Sequence, residues 1–200
     1  QFYAKIMARL PTNTATTTIR TRFGETRITS CGNPTGAPLM ILPGMSIAGP
    51  AMLEFFARLA KERRLVAPDL IGQPGQSEDR PLAPDGNAYG LWLRDILDAL
   101  RLDCVDMATA SFGSSIALDL ATISPDRLGK LALIMPAGLT PRMPYASIYL
   151  RLGVGWMAYR HAPIRALLPW IAGPLSRHLS ADNLEYLDIV IRQTAFWRHR

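Results

Sequence analysis

Four short apolar runs frame this chain: Pro38–Leu42, Arg64–Pro68, Cys104–Ala110 and Lys130–Met135. Each is too short for a helix of ordinary length and lacks the polar alternation of a half-exposed strand, so each is predicted as a strand buried on both faces. Between them, large apolar residues recur at helical spacing over Ala51–Glu62, over Tyr89–Leu102 (Leu91, Leu93, Ile96, Leu97, Leu100) and over Ser114–Ile123. Strand, helix, strand, helix, strand, helix, strand is the alternation that builds a parallel sheet covered by helices on both faces. Upstream, Thr16–Arg22 and Glu25–Ser30 alternate and predict an antiparallel hairpin about Phe23-Gly24, with the threonine-rich stretch Thr12–Thr18 as a loose entry to the first strand. From Pro144 to Arg200 the pattern is helical with repeated proline breaks, and it offers no run suited to a further strand.

Three loops interrupt this pattern with chemistry. Pro43-Gly44-Met45-Ser46 follows the first apolar run, Asp69-Leu-Ile-Gly72-Gln-Pro-Gly75-Gln-Ser77 follows the second, and Ser111 falls where the third becomes a helix. A serine on so sharp a turn needs small neighbours two residues before and after; Gly113 supplies one, and Thr109 stands where glycine is usual. The competing reading of Ser111 is a helix N-cap that satisfies free amides. Asp69 with Gly72, Gly75 and Ser77 reads as a structural loop whose aspartate bonds to nearby amides. Met45 reads either as lining a pocket or as core filler, and Ser114 and Ser115 as first-turn helix residues.

Taken in this order, the three loops resemble those of the α/β-hydrolase core over residues 16–140, with a P-G loop after the third strand, a D-x-x-G-x-x-G-x-S loop after the fourth and a serine elbow after the fifth. The subtype is similar to small serine hydrolases of the carboxylesterase kind. The resemblance implies an α/β fold: a mostly parallel sheet with helices on both faces and a helical cap after strand 6, with strands 7 and 8 not in this chain. Residues 1–140 would be the incomplete core and residues 141–200 the cap. Ser111 corresponds to the nucleophile, and the backbone N–H groups of Phe112 and Met45 to the oxyanion hole, with Gly44 allowing close approach and Thr109 and Gly113 supporting the elbow. Many relatives carry His-Gly where this chain has Pro43-Gly44, a change that leaves the amides after it in place.

The family's order is nucleophile, acid, histidine. Neither partner is assigned here. His161, His178 and His199 each adjoin arginine, which disfavours the imidazolium a general base must become, and Asp182, Glu185 and Asp188 precede no strand. The acid and histidine are therefore expected beyond residue 200, and the 200 residues alone are expected to be inactive. The first residue, Gln1, suggests a trimmed or partial chain. The function implied is serine hydrolysis of a carboxylic ester through an acyl-enzyme. The alternatives are a non-catalytic, α/β-hydrolase-like binding protein, acyl transfer, or carbon–carbon bond hydrolysis.

Composition bounds the rest. Two hundred residues, 48% hydrophobic, suffice for one core and a partial cap. Cys31 and Cys104 sit on different strands, so no disulfide is expected, and a reducing, cytoplasmic setting is the default. The net charge of +6 is uneven: residues 1–138 carry 14 Lys+Arg against 13 Asp+Glu, and residues 139–200 carry 8 against 3. Interleaved aromatics in that second stretch suit an entrance for anionic or aromatic esters or a membrane surface, or else arginines facing out with aromatics over the core. No nucleic-acid motif accompanies the charge. No metal or organic cofactor is expected; the partners expected are a small ester-like molecule and the remaining C-terminal segment of the same polypeptide, with a homodimer left open.

Overall fold

The computed structural model describes residues 2–83 and 86–137. Helix α1 (Phe2–Met7) leads into a hairpin of β1 (Ala15–Thr21) and β2 (Gly24–Gly32). There follow β3 (Pro38–Leu42), α2 (Gly49–Phe55), β4 (Arg64–Pro68), α3 (Ala88–Ala99), β5 (Val105–Ala110), α4 (Phe112–Ile123) and β6 (Leu128–Ile134). The six strands form one sheet in the order β1-β2-β4-β3-β5-β6. β1 pairs with β2, and β2 with β4, antiparallel; from β4 to β6 every pairing is parallel.

Burial on both faces explains the apolar runs of β3, β4 and β5. β6, expected to be buried in the same way, is the last strand of the sheet order, has a neighbour on one side only among the described strands, and has no buried residue. Met40, Leu42, Val66 and Met107 pack with Trp92, Leu93, Ile96 and Leu97 of α3 and with Ile116 and Leu120 of α4. Their sequence neighbours Leu39, Ile41, Leu65 and Ala108 point the other way, toward Met52 and Leu53 of α2. A full-length side chain at every position satisfies both layers, and polar alternation would leave one of them unfilled. Trp92, the largest wholly buried side chain, donates its indole N–H to the buried Thr26 hydroxyl at 2.9 Å, so no polar atom of the indole is stranded.

Four further features depart from the pattern of the sequence. The predicted helix over Ala51–Glu62 ends at Phe55 and tightens into a 3-10 turn over Ala57–Lys61. A tertiary bond takes one of its backbone groups: the Ala60 carbonyl accepts the Asn33 N–H at 2.8 Å. Thr16–Thr18 are not a loose entry but part of β1, where β-branched residues are favoured and Arg27 of β2 reaches the Thr16 and Thr18 hydroxyls. Helix α4 starts at Phe112, two residues earlier than its apolar spacing suggested, which leaves Ser114 and Ser115 in its first turn as expected. Helix α1 carried no signal strong enough to be predicted, yet Ile6 in it and Leu10 after it are buried.

Cys31 lies in β2 and Cys104 just before β5, with two strands between, and both are free thiols. No described helix is long and apolar enough to cross a membrane. The expected cap over 141–200, its basic and aromatic residues, and His161, His178, His199, Asp182, Glu185 and Asp188 lie outside the described residues.

Candidate active site

Because β4, β3 and β5 are parallel and adjacent in that order, their C-terminal ends open on one edge of the sheet and bring three loops together. The loop after β3 lies in the middle. Binding crevices of open α/β sheets form at this edge.

Ser111 is the single residue between β5 and α4. Its backbone sits at φ 46°, ψ −111°, a conformation that costs a non-glycine residue about 1–3 kcal/mol. Hydrogen bonds on both sides of the residue hold it there. The Ser111 N–H donates to the Ile134 carbonyl at 3.0 Å, while the Ser111 carbonyl accepts from the Ser114 N–H at 3.0 Å and the Ala137 N–H at 3.2 Å. The Ser111 side chain caps no amide of α4, so the N-cap reading fails. A hydroxyl that forgoes its local hydrogen bond on a strained turn is left for other chemistry.

The neighbours of Ser111 explain how the turn closes. A Cβ on Gly113 would stand 2.5 Å from the carbonyl oxygens of both Leu42 and Pro43, so glycine is required where α4 passes the end of β3. Thr109, with 0% exposure, is accommodated in the core because its hydroxyl has partners. It donates to the Ala132 carbonyl at 3.3 Å and lies 2.9 Å from the equally buried Ser114 hydroxyl.

The loop after β3 passes directly beside Ser111. A Cβ on Gly44 would lie 3.5 Å from the Ser111 Cβ, an ordinary contact that a methyl could make while occupying space beside the serine. The Ile47 N–H closes a tight turn on the Gly44 carbonyl at 3.2 Å, with Ser46 at φ 63° in the left-handed region. Met45 is 59% exposed at the tip of this turn, which rules out the core-filler reading. Among the described residues, the N–H groups of Met45 and Phe112 donate to no backbone carbonyl.

Asp69 is the structural residue expected. It is 1% exposed and accepts the Gly49 N–H at 2.7 Å, the Gln76 N–H at 2.8 Å and the Tyr3 hydroxyl at 3.2 Å. Burial raises its pKa from the ordinary carboxylate value, opposed by the two amides and the tyrosine. Gln73 carried no sequence signal; its side-chain carbonyl accepts the Ser46 N–H at 3.1 Å, joining loops 27 residues apart. No cluster of three or more metal-ligating side chains occurs among the described residues.

The chain superposes on the crystal structure of naproxen esterase (carboxylesterase NP) from Bacillus subtilis with a TM-score of 0.79, over 96% of this chain and 66% of that one, at 22% identity. The fold is that of the α/β-hydrolases. Two curated relatives with this fold's hydrolase names extend the likeness to sequence. A 2-hydroxymuconate semialdehyde hydrolase of Pseudomonas sp. strain CF600 is 37% identical over 114 residues, which are 52% of this chain and 38% of that protein. Carboxylesterase YbfK of Bacillus subtilis strain 168 is 25% identical over 137 residues, 68% of this chain and 46% of that protein. The chain thus spans less than half the length of either curated relative. No family model matches it. The loop after β3 and the turn at Ser111 lie together at the C-terminal edge of the parallel strands of this fold.

Proposed function

We propose that this chain carries the nucleophile and oxyanion half of a serine hydrolase site that cleaves carboxylic esters of small molecules through an acyl-enzyme. The observation that carries this reading is the backbone of Ser111: strained, fixed by three main-chain hydrogen bonds, and with a side chain that caps nothing. The curated name of one relative, carboxylesterase, supports it.

In this mechanism the Ser111 Oγ attacks the acyl carbon while a histidine outside the described residues takes its proton. Negative charge collects on the carbonyl oxygen. The amides of Phe112 and Met45, which donate to no backbone carbonyl among the described residues, are the donors for that oxygen, and each such donor is worth about 10²–10³ in rate. The alcohol then leaves, carrying the proton from histidine, and water repeats the sequence to release the acid. No metal or organic cofactor has a step in this chemistry.

A second reading has a specific observation behind it. The relative at 37% identity is named for a semialdehyde, a compound that contains no ester. The same serine and oxyanion donors would then serve hydrolysis of a carbon–carbon bond next to a carbonyl.

The test is labelling of the full-length protein with a fluorophosphonate, wild type against Ser111→Ala. Labelling of the wild type alone supports a nucleophilic Ser111. Equal labelling of both removes Ser111 from the role, and labelling of neither points to a binding protein. Aryl ester and vinylogous 1,5-diketone substrates, assayed side by side, separate the two hydrolytic readings.

A further inference from the structure

The loop after β3 must hold the Met45 amide in a fixed direction if that amide is to meet a developing oxyanion, because preorganised donors contribute and mobile ones do not. The loop is poorly suited to fix itself. Its tip is exposed at Met45, and its next residue, Ser46, holds a left-handed φ of 63° that only glycine adopts readily. Contacts from outside the loop add to its internal bond from the Ile47 N–H to the Gly44 carbonyl at 3.2 Å.

Two side chains of the β4 loop make these contacts. Asp69 accepts the Gly49 N–H at 2.7 Å where the β3 loop enters α2, and Gln73 accepts the Ser46 N–H at 3.1 Å at the tip. The anchoring loop is itself tied down. The Gln73 N–H bonds to the Leu70 carbonyl at 3.1 Å, the Gly72 N–H to the Glu78 carbonyl at 2.9 Å, and the Gln76 N–H to the buried Asp69 carboxylate at 2.8 Å. Asp69 fixes the base of the β3 loop and is far from optional for folding. Gln73 is half-buried, has no comparable set of partners, and touches the residue directly after Met45.

We propose that Gln73 is a positioning residue for the oxyanion loop: by holding the Ser46 amide it keeps the strained turn in the one conformation that presents the Met45 N–H beside Ser111. This rests on the serine hydrolase reading above. Gln73 makes no contact with reacting atoms and acts through Ser46. Its loss should leave ground-state binding of substrate intact and weaken stabilisation of the transition state.

The experiment uses the full-length protein as wild type, Gln73→Met and Gln73→Glu. Methionine preserves length and volume without a strong acceptor, and glutamate retains an oxygen that can accept the same N–H. Amide hydrogen exchange at Ser46 and steady-state hydrolysis of an aryl ester are measured together, with inhibition by a trifluoromethyl ketone, whose serine-bound hemiketal carries the oxyanion. One neutral hydrogen bond is worth up to about tenfold in an equilibrium. The expected result for Gln73→Met is therefore faster Ser46 exchange, kcat lower by about tenfold, KM within about twofold, and inhibitor affinity lowered in step with kcat; Gln73→Glu restores the exchange protection. Unchanged exchange at Ser46 overturns the clamp. Faster exchange with kcat unchanged, or a loss confined to KM, overturns its role in catalysis. A wild type that neither takes a fluorophosphonate nor turns over any ester overturns the hydrolase reading, and this inference with it, before any Gln73 variant is compared.

Discussion

The hydroxyls of Thr109 and Ser114 stand 2.9 Å apart, both wholly buried, one on the strand that enters the Ser111 turn and one on the helix that leaves it. This pair gives the buried hydroxyl of the threonine two residues before Ser111 a partner. Thr109→Val keeps the shape and removes the partner, stranding the Ser114 hydroxyl in the core at a cost of about 1–3 kcal/mol. Ser114→Ala alone should cost less, since Thr109 keeps its bond to the Ala132 carbonyl. The double variant should be more stable than the sum of the single losses predicts, measured as a double-mutant cycle in urea unfolding. Strict additivity would show that the two hydroxyls are not coupled.

Gly113 and Gly44 should answer the same substitution in opposite ways. A methyl on Gly113 meets two carbonyl oxygens at 2.5 Å, and these belong to backbone that the sheet holds in place. Gly113→Ala should lower stability by about 1–3 kcal/mol and shift the turn. A methyl on Gly44 finds ordinary contacts at 3.5 Å and beyond, so Gly44→Ala should unfold at the wild-type urea midpoint while slowing fluorophosphonate labelling of Ser111. Loss of stability at Gly44 with labelling preserved would contradict this geometry.

Ser111 stores strain that its replacement should release. Glycine at φ 46° removes the Cβ penalty of that conformation, so Ser111→Gly should be more stable than Ser111→Ala by about 1 kcal/mol, with both variants unlabelled. Thermal unfolding decides it. Equal midpoints would mean that the turn relaxes when the serine is lost.

Asp69 should give stability a distinctive pH dependence. Burial raises its pKa in the folded chain above the unfolded value near ~3.9, so the folded carboxyl holds its proton to higher pH than the unfolded one. In the window between those two values the unfolded state binds fewer protons, and stability falls as pH rises through it. The difference in unfolding free energy, wild type minus Asp69→Asn, should therefore decline from about pH 4 upward. A difference that grows with pH would reverse the assignment. Tyr3, its own pKa pushed up to about 12 chiefly by burial, stays protonated and keeps donating across this range, so Tyr3→Phe should raise the Asp69 titration further.

The legible parts of the fold were those written in local periodicity. Pro38–Leu42, Arg64–Pro68 and the hairpin about Phe23-Gly24 appear where their patterns put them, because strands buried on both faces need unbroken apolar runs and a hairpin needs alternation. Ser111 was legible for the same reason, at the point where a strand pattern gives way to a helix pattern, although only the structure makes it the single residue between the two elements. Where tertiary hydrogen bonds competed with local preference, periodicity misled: at Ala60, whose carbonyl bonds to Asn33, and at Thr16–Thr18, which the Arg27 guanidinium ties into the sheet.

The sequence by itself determined the alternation of strands and helices, the three loops and the serine at the sharpest turn, since each depends on residues close together in the chain. Only the tertiary structure decided that Ser111 caps nothing, that Gly113 lies against Leu42 and Pro43, and that Gln73 holds Ser46. Those relationships follow from the order β4-β3-β5, which sets three loops side by side at one edge of the sheet. Spacing along the chain records which residues share a face of one element, and it holds no record of which loops become neighbours once the strands have paired.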